Sequence, residues 1–215
     1  MRSVSTQPYG PQVAALPEPV RRGVGRPPRH TPDELLALVA QEFLARGYDA
    51  TSMADLARAA GLTKSAIYSH VTGKQELLRL AVSRAVNALF AVLDEPAATE
   101  GAAVERLEHV VRRSAEVLVE QLPYVTLLLR VRGNTPVERE ALARRREFDD
   151  QLSALVRSAI DEGTVRDDLD PRLVTRLLFG MVNSVAEWYR PQRAISSEDV
   201  ADAVVALAFQ GLRRP

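Results

Sequence analysis

The 215-residue chain has no cysteine, which excludes disulfides, thiolate metal sites and thiol nucleophiles. Aromatic residues make up only 5% of it, so a core must be assembled mainly from Leu, Val and Ala. That favours packed helices over sheets, whose strands draw on β-branched and aromatic side chains. The three histidines, His30, His70 and His109, are scattered without metal-ligand spacing, and no glycine-rich phosphate loop or nucleophile elbow occurs. Asp149-Asp150 and Asp167-Asp168 read as solvated helix surface and loop. No enzyme activity, metal or cofactor is expected. No run approaches 18 apolar residues and the N-terminus lacks an apolar leader, so the default is a soluble cytoplasmic protein without a membrane partner. Lysine is also scarce. Of 28 Lys plus Arg, only Lys64 and Lys74 are lysines, and both fall in GLTKSAIYSHVTGKQELL, Gly61 to Leu78.

Net charge is zero, but the charge is uneven. Residues 1–30 carry Arg2, Arg21, Arg22, Arg26 and Arg29 against Glu18 alone, together with six of the 13 prolines. This predicts a disordered basic arm over 1–30. Within it, Gly25-Arg26-Pro27, followed by Arg29, resembles a minor-groove hook, with Val24 where such a hook would carry an arginine. The alternative is a solvated basic tail that adds only non-specific affinity.

Helical signals start at Thr31, which can cap a helix with Pro32 at its first position and Glu34 completing a capping box. Leu35, Leu36, Val39, Ala40, Phe43 and Leu44 then mark one face, and Gly47 ends it. Ser52 with Asp55 caps a short second helix ending at Gly61; Thr63 caps a third from about Lys64 to His70. Thr72 with Gln75 is expected to cap a fourth that runs to Asp94. Further helices are expected over Ala102–Gln121, from Pro123 to about Arg132, and over Pro136–Glu162, Pro171–Tyr189 and Glu198–Gln210. The fold class is all-α. An N-terminal three-helix domain is expected over 31–76, followed by a larger helical domain over 77–215.

Two short helices joined by a tight turn at Gly61, with Leu56, Leu62 and Ile67 facing a shared core, form the pattern of a helix-turn-helix. A plain helical hairpin within a bundle has the same pattern. The run FLARGYDATSMADLARAAGLTKSAIYSHVTGKQELL, Phe43 to Leu78, resembles the tetracycline-repressor (TetR) family of bacterial transcriptional regulators. Gly47-Tyr48, Thr51-Ser52, Ala57…Ala60-Gly61, Tyr68, His70 and Lys74 fall at that family's positions, while Val71 stands where it usually has a large aromatic. The resemblance implies a double-stranded DNA operator as partner. It assigns phosphate contacts to Lys74, Tyr68 and His70, a groove-facing position to Lys64, and hydrogen bonds to the same strand to Thr51 and Ser52. Thr63, Ser65 and Ala66 become the candidates for base edges, Ala66 through its methyl group alone.

The resemblance further implies a homodimer built on the last two helices and a pocket for a small-molecule effector. Leu173, Leu177, Leu178, Met181, Val182 and Val185, with Val200, Ala203, Val204, Leu207 and Phe209, offer more apolar surface than one bundle core needs. Candidate pocket residues are Leu127, Leu128, Phe148, Phe179, Asn183 and Trp188, with Arg130 and Arg145 representing the arginine runs of the preceding helices. The block GMVNSVAEWYRP, Gly180 to Pro191, resembles acyl-CoA-responsive members, which makes a CoA thioester the candidate effector. The family's usual outcome is repression relieved by ligand. The competing class is a helical small-molecule-binding or scaffold protein without sequence-specific DNA binding.

Overall fold

The structure, a computed structural model, describes residues 30–69, 71–191 and 195–212. Arg26, Arg29 and His70, three of the expected DNA contacts, lie outside the described residues, as does nearly all of the expected arm. The elements in chain order are α1 (Pro32–Arg46), α2 (Met53–Ala59), α3 (Lys64–Tyr68), α4 (Lys74–Leu93), α5 (Pro96–Thr99), α6 (Ala103–Glu120), α7 (Leu122–Arg130), α8 (Pro136–Asp161), α9 (Pro171–Trp188) and α10 (Ser197–Leu212). Among the described residues all regular structure is helical, as the fold class requires.

Local chemistry fixes the head. Thr31 Oγ1 accepts from the Glu34 N–H at 3.2 Å while Glu34 Oε2 accepts from the Thr31 N–H at 2.8 Å, so α1 begins at a complete capping box. Ser52 and Asp55 do the same for α2, and Thr63 Oγ1 accepts the Ala66 N–H for α3. Gly47 (φ 86°) and Gly61 (φ 62°) end α1 and α2 in the left-handed region, where a β-carbon is disfavoured. Leu36, Val39, Phe43, Leu56, Ile67 and Val71 fill the core beneath α2 and α3. Val71 is 4% exposed, so this small side chain is enclosed in the core of the head.

Two expectations need correction. Thr72 and Gln75 do not cap α4. Gly73 is the N-cap without a side-chain bond, and the Thr72 N–H and hydroxyl both reach Glu76 Oε2 at 2.5 Å. Arg132 is not helical, because α7 stops at Arg130. The short α5 was not expected.

The body stacks α6 against α8, α9 and α10, with α4 and α7 packed between this bundle and α1. Residues 76 and 77, the expected boundary, fall inside α4, so one helix is common to head and body.

Candidate functional site

On the head, α3 presents Thr63, Lys64, Ser65, Tyr68 and Ser69 to solvent, with Ala66 half-buried. Tyr68 is 44% exposed, a large ring left outside while its neighbour Ile67 is fully buried. Thr63 is also tied to Ser65, oxygen to oxygen at 3.0 Å, and the Ser69 hydroxyl donates to the Ala66 carbonyl at 2.7 Å. The surface is therefore uncharged except for Lys64, and suits close approach to a groove floor. His30, which ends the expected arm, has its ring nitrogen Nε2 2.8 Å from the Ala60 carbonyl, beside the α2–α3 turn.

Three of the expected DNA contacts are occupied within the protein. Thr51 is 1% exposed and its hydroxyl donates to the Gly47 carbonyl at 2.7 Å, so it holds the α1–α2 connection and presents nothing outward. Ser52 Oγ is engaged with Asp55 Oδ2 at 2.5 Å. Lys74 donates to the Tyr48 carbonyl at 2.8 Å and the Asp49 carbonyl at 3.4 Å, with its ammonium 4.3 Å from the centre of the Tyr48 ring. Lys74 thus clamps the loop that positions α2.

The body encloses a cavity of about 40 Å³ whose walls come from five helices. Lining side chains sit at helical spacing on each: Val86, Leu89 and Phe90 of α4; Ser114 and Leu118 of α6; Val125, Leu128 and Leu129 of α7; Arg145, Phe148 and Asp149 of α8; Phe179, Val182 and Asn183 of α9. Phe148 stands edge-on to Phe90 at 5.7 Å and to Phe179 at 5.4 Å, which joins three helices through one aromatic row. The Arg144 guanidinium covers Phe90 from outside at 3.9 Å.

Four polar side chains line this cavity at different depths of burial. Asp149 is solvent-exposed and defines the open edge. Partial desolvation pushes its carboxyl up, against the opposing pull of Arg145. Arg145 is half-buried, with one long bond to the Leu128 carbonyl at 3.5 Å, and burial lowers its guanidinium from the ordinary range. Ser114 is fully buried on the inner wall, and its hydroxyl has no hydrogen-bond partner in the protein. A buried hydroxyl left in this state costs about 1–3 kcal/mol.

Arg145, Phe148, Phe179 and Asn183, expected as pocket residues, do line the cavity, and Leu128 with them. Leu127, Arg130 and Trp188 do not. Leu127 is buried away from it, Arg130 donates to the Leu44 carbonyl of α1 at 3.1 Å, and Trp188 is 48% exposed against Tyr189. Ser114, Phe90 and Asp149 were missed. For Ser114 a signal existed: a hydroxyl within the stripe Val110, Val111, Ala115, Leu118, as unusual there as Asn183 is in α9.

The cavity and head are mechanically joined. Arg84 of α4 donates from Nε to Gln121 Oε1 at 2.9 Å and from a terminal nitrogen to Asp33 Oδ1 of α1 at 2.8 Å, while covering the Tyr124 ring at 4.9 Å. Tyr124 in turn donates to the Asp33 carbonyl at 3.4 Å. The same two helices, α4 and α7, supply six of the fourteen cavity residues.

Residues 35–81 match the family model for bacterial regulatory proteins, tetR family, and residues 100–212 match the tetracyclin repressor-like C-terminal domain. The chain belongs to the TetR family. Its similarity to SCO3833, a member of that family from Streptomyces coelicolor A3, is 59% in identity with a TM-score of 0.79, over 86% of this chain and 94% of the other. The HTH-type transcriptional repressor KstR2 of Rhodococcus jostii RHA1 is 26% identical over 202 residues, 93% of this chain and 98% of KstR2. AibR, solved in complex with isovaleryl coenzyme A and operator DNA, is 25% identical with a TM-score of 0.69, over 81% of this chain and 96% of AibR. As a TetR-family regulator this protein is a ligand-responsive DNA-binding repressor and not an enzyme. Among the described residues, no helix of this regulator is long and apolar enough to cross a membrane.

Proposed function

We propose that this regulator is a homodimer, that its effector enters the five-helix cavity, and that occupancy releases it from its operator. The observation that carries this reading is the cavity: apolar walls, an arginine near the open edge, and two wall helices that also hold the head. The effector proposed is a CoA thioester. Its acyl part would lie among Phe90, Phe148 and Phe179, and its anionic portion would remain outside, near Arg145. A void of about 40 Å³ is well below the roughly 150 Å³ of an apolar cavity that holds a benzene-sized molecule, so an acyl group must part the helices to enter. Displacing α4 or α7 would tilt the head against the body. By linkage, effector and operator then weaken each other equally, and a tenfold effect corresponds to a coupling of about 1.4 kcal/mol.

Pairing would use the outward faces of α9 and α10. Leu173, Leu177, Trp188 and Leu207 are exposed and Met181 is half-buried at the core's margin, whereas Leu178, Val182, Val185, Val200, Val204 and Phe209 are buried within the core. Gly180 lies on the same outward stripe, and a β-carbon there would touch nothing in this chain, so its smallness serves no internal packing. Two recognition helices brought together in this way could enter successive major grooves about 34 Å apart.

The test is fluorescence anisotropy on the protein's own promoter region with isovaleryl-CoA, longer acyl-CoAs, the free acids and CoA itself. The expected result is specific binding that at least one acyl-CoA weakens tenfold or more while free acids and CoA do not. Specific binding unaffected by any thioester would overturn the effector class, and absence of specific binding would overturn the whole reading.

A further inference from the structure

Ser114 has no structural task. It does not cap a helix or bridge two elements, and nothing in the protein bonds its hydroxyl although the residue is fully enclosed. It does line the cavity, one turn before Leu118 on the same face of α6. A small apolar residue would fill this place without leaving a hydroxyl unpaired. The other polar side chains of the cavity, Arg145, Asp149 and Asn183, are less buried and stand on α8 and α9. Ser114 is thus set apart on the inner wall.

We propose that Ser114 is a specificity-determining residue: its O–H donates to a carbonyl oxygen carried within the apolar body of the effector. The effector class is then an oxo-substituted acyl derivative, with the ketone at the inner wall and the anionic end at Arg145. A plain hydrocarbon body would leave the hydroxyl unpaired in the bound state too, and a site built around a hydrogen-bonding group discriminates against ligands that lack its partner. This inference rests on the reading of the cavity as the effector site.

The experiment uses the full chain and its Ser114→Ala variant. The probes are hexanoyl-CoA and cyclohexanecarboxyl-CoA, each against its mono-oxo isomers, with binding measured by calorimetry and melting measured without ligand. At least one oxo isomer should bind the parent protein tenfold or more tighter than its unsubstituted counterpart. That advantage should fall below twofold in Ser114→Ala, which should melt no lower than the parent protein. The proposal is overturned if oxo and unsubstituted probes bind alike, or if the preference survives in Ser114→Ala. It is overturned as well if Ser114→Ala loses affinity equally for both kinds, which would place the hydroxyl on the thioester carbonyl. If no probe binds a protein that still recognises its promoter, the effector reading falls and takes this proposal with it.

Discussion

Asp55 accepts hydrogen bonds from the hydroxyl and N–H of Ser52 and from the guanidinium of Arg58 at 2.8 Å, with Arg46 a further 3.9 Å ion-pair partner. Chiefly through the two Ser52 bonds, its carboxyl is lowered to about 2. Glu34 and Glu76 are lowered in the same way, by bonds to Thr31 and Thr72. A carboxyl depressed on folding contributes stability that is complete above its unfolded value, near 4, and is lost as pH falls through the folded value. Urea midpoints should therefore drop as pH falls from about 4.5 to 2, and Asp55→Asn should flatten that drop. Lys74 gives a second expectation at this scale. Hydrogen bonds from a charged group contribute roughly 1.5–3 kcal/mol, so Lys74→Ala should lower stability by an amount of that order, measurable without DNA. A variant of unchanged stability that bound DNA less tightly would return Lys74 to the phosphate contact expected from the sequence. Such residues show what can be read locally. Thr31, Ser52 and Thr63 were legible as caps because a cap is satisfied within three residues. Lys74 was not, because its acceptors lie 25 and 26 positions away.

Among the elements, α3 and the α4–α7 pair are those on which the proposed function rests. Lys64 is the only cation on the exposed surface of α3, so Lys64→Ala should reduce the slope of log affinity against log salt by about 0.9 if its ammonium neutralises one phosphate. An unchanged slope would place Lys64 away from the backbone. The Arg84 junction is expected to act as a unit because one guanidinium serves α1 and the α6–α7 corner together. In urea melting, a double-mutant cycle of Arg84→Leu and Gln121→Leu should give a coupling of about 0.5–1.5 kcal/mol, whereas simple additivity would make the junction incidental. Most helices were legible from caps and apolar spacing. The cavity was only partly so: Phe148, Phe179, Asn183 and Arg145 were singled out by type, but convergence with Phe90 and Ser114 depends on crossing five helices, which no single stripe encodes. Trp188 was misplaced for the same reason. Its size suggested a pocket wall, but its register on α9 turns it outward.

For the whole molecule, Leu177 is 60% exposed and Leu207 69%, on neighbouring helices of one chain. Charge placed there should not disturb the core. Leu177→Asp with Leu207→Asp is expected to keep the helical circular dichroism, run as a monomer in light scattering, and lose at least tenfold in operator affinity. A dimer that survived both changes would have to be held by another face. The void among the five helices has a consequence for how the protein can be engineered. If the effector enters it as proposed, its affinity is reduced by the rarity of the widened state that entry requires. A larger side chain seated without strain, for instance Val182→Ile, should raise the melting temperature and yield a super-repressor: a variant that clings to DNA and no longer hears its signal. Thermostability and inducibility would trade against each other in this fold, and selection for one should erode the other.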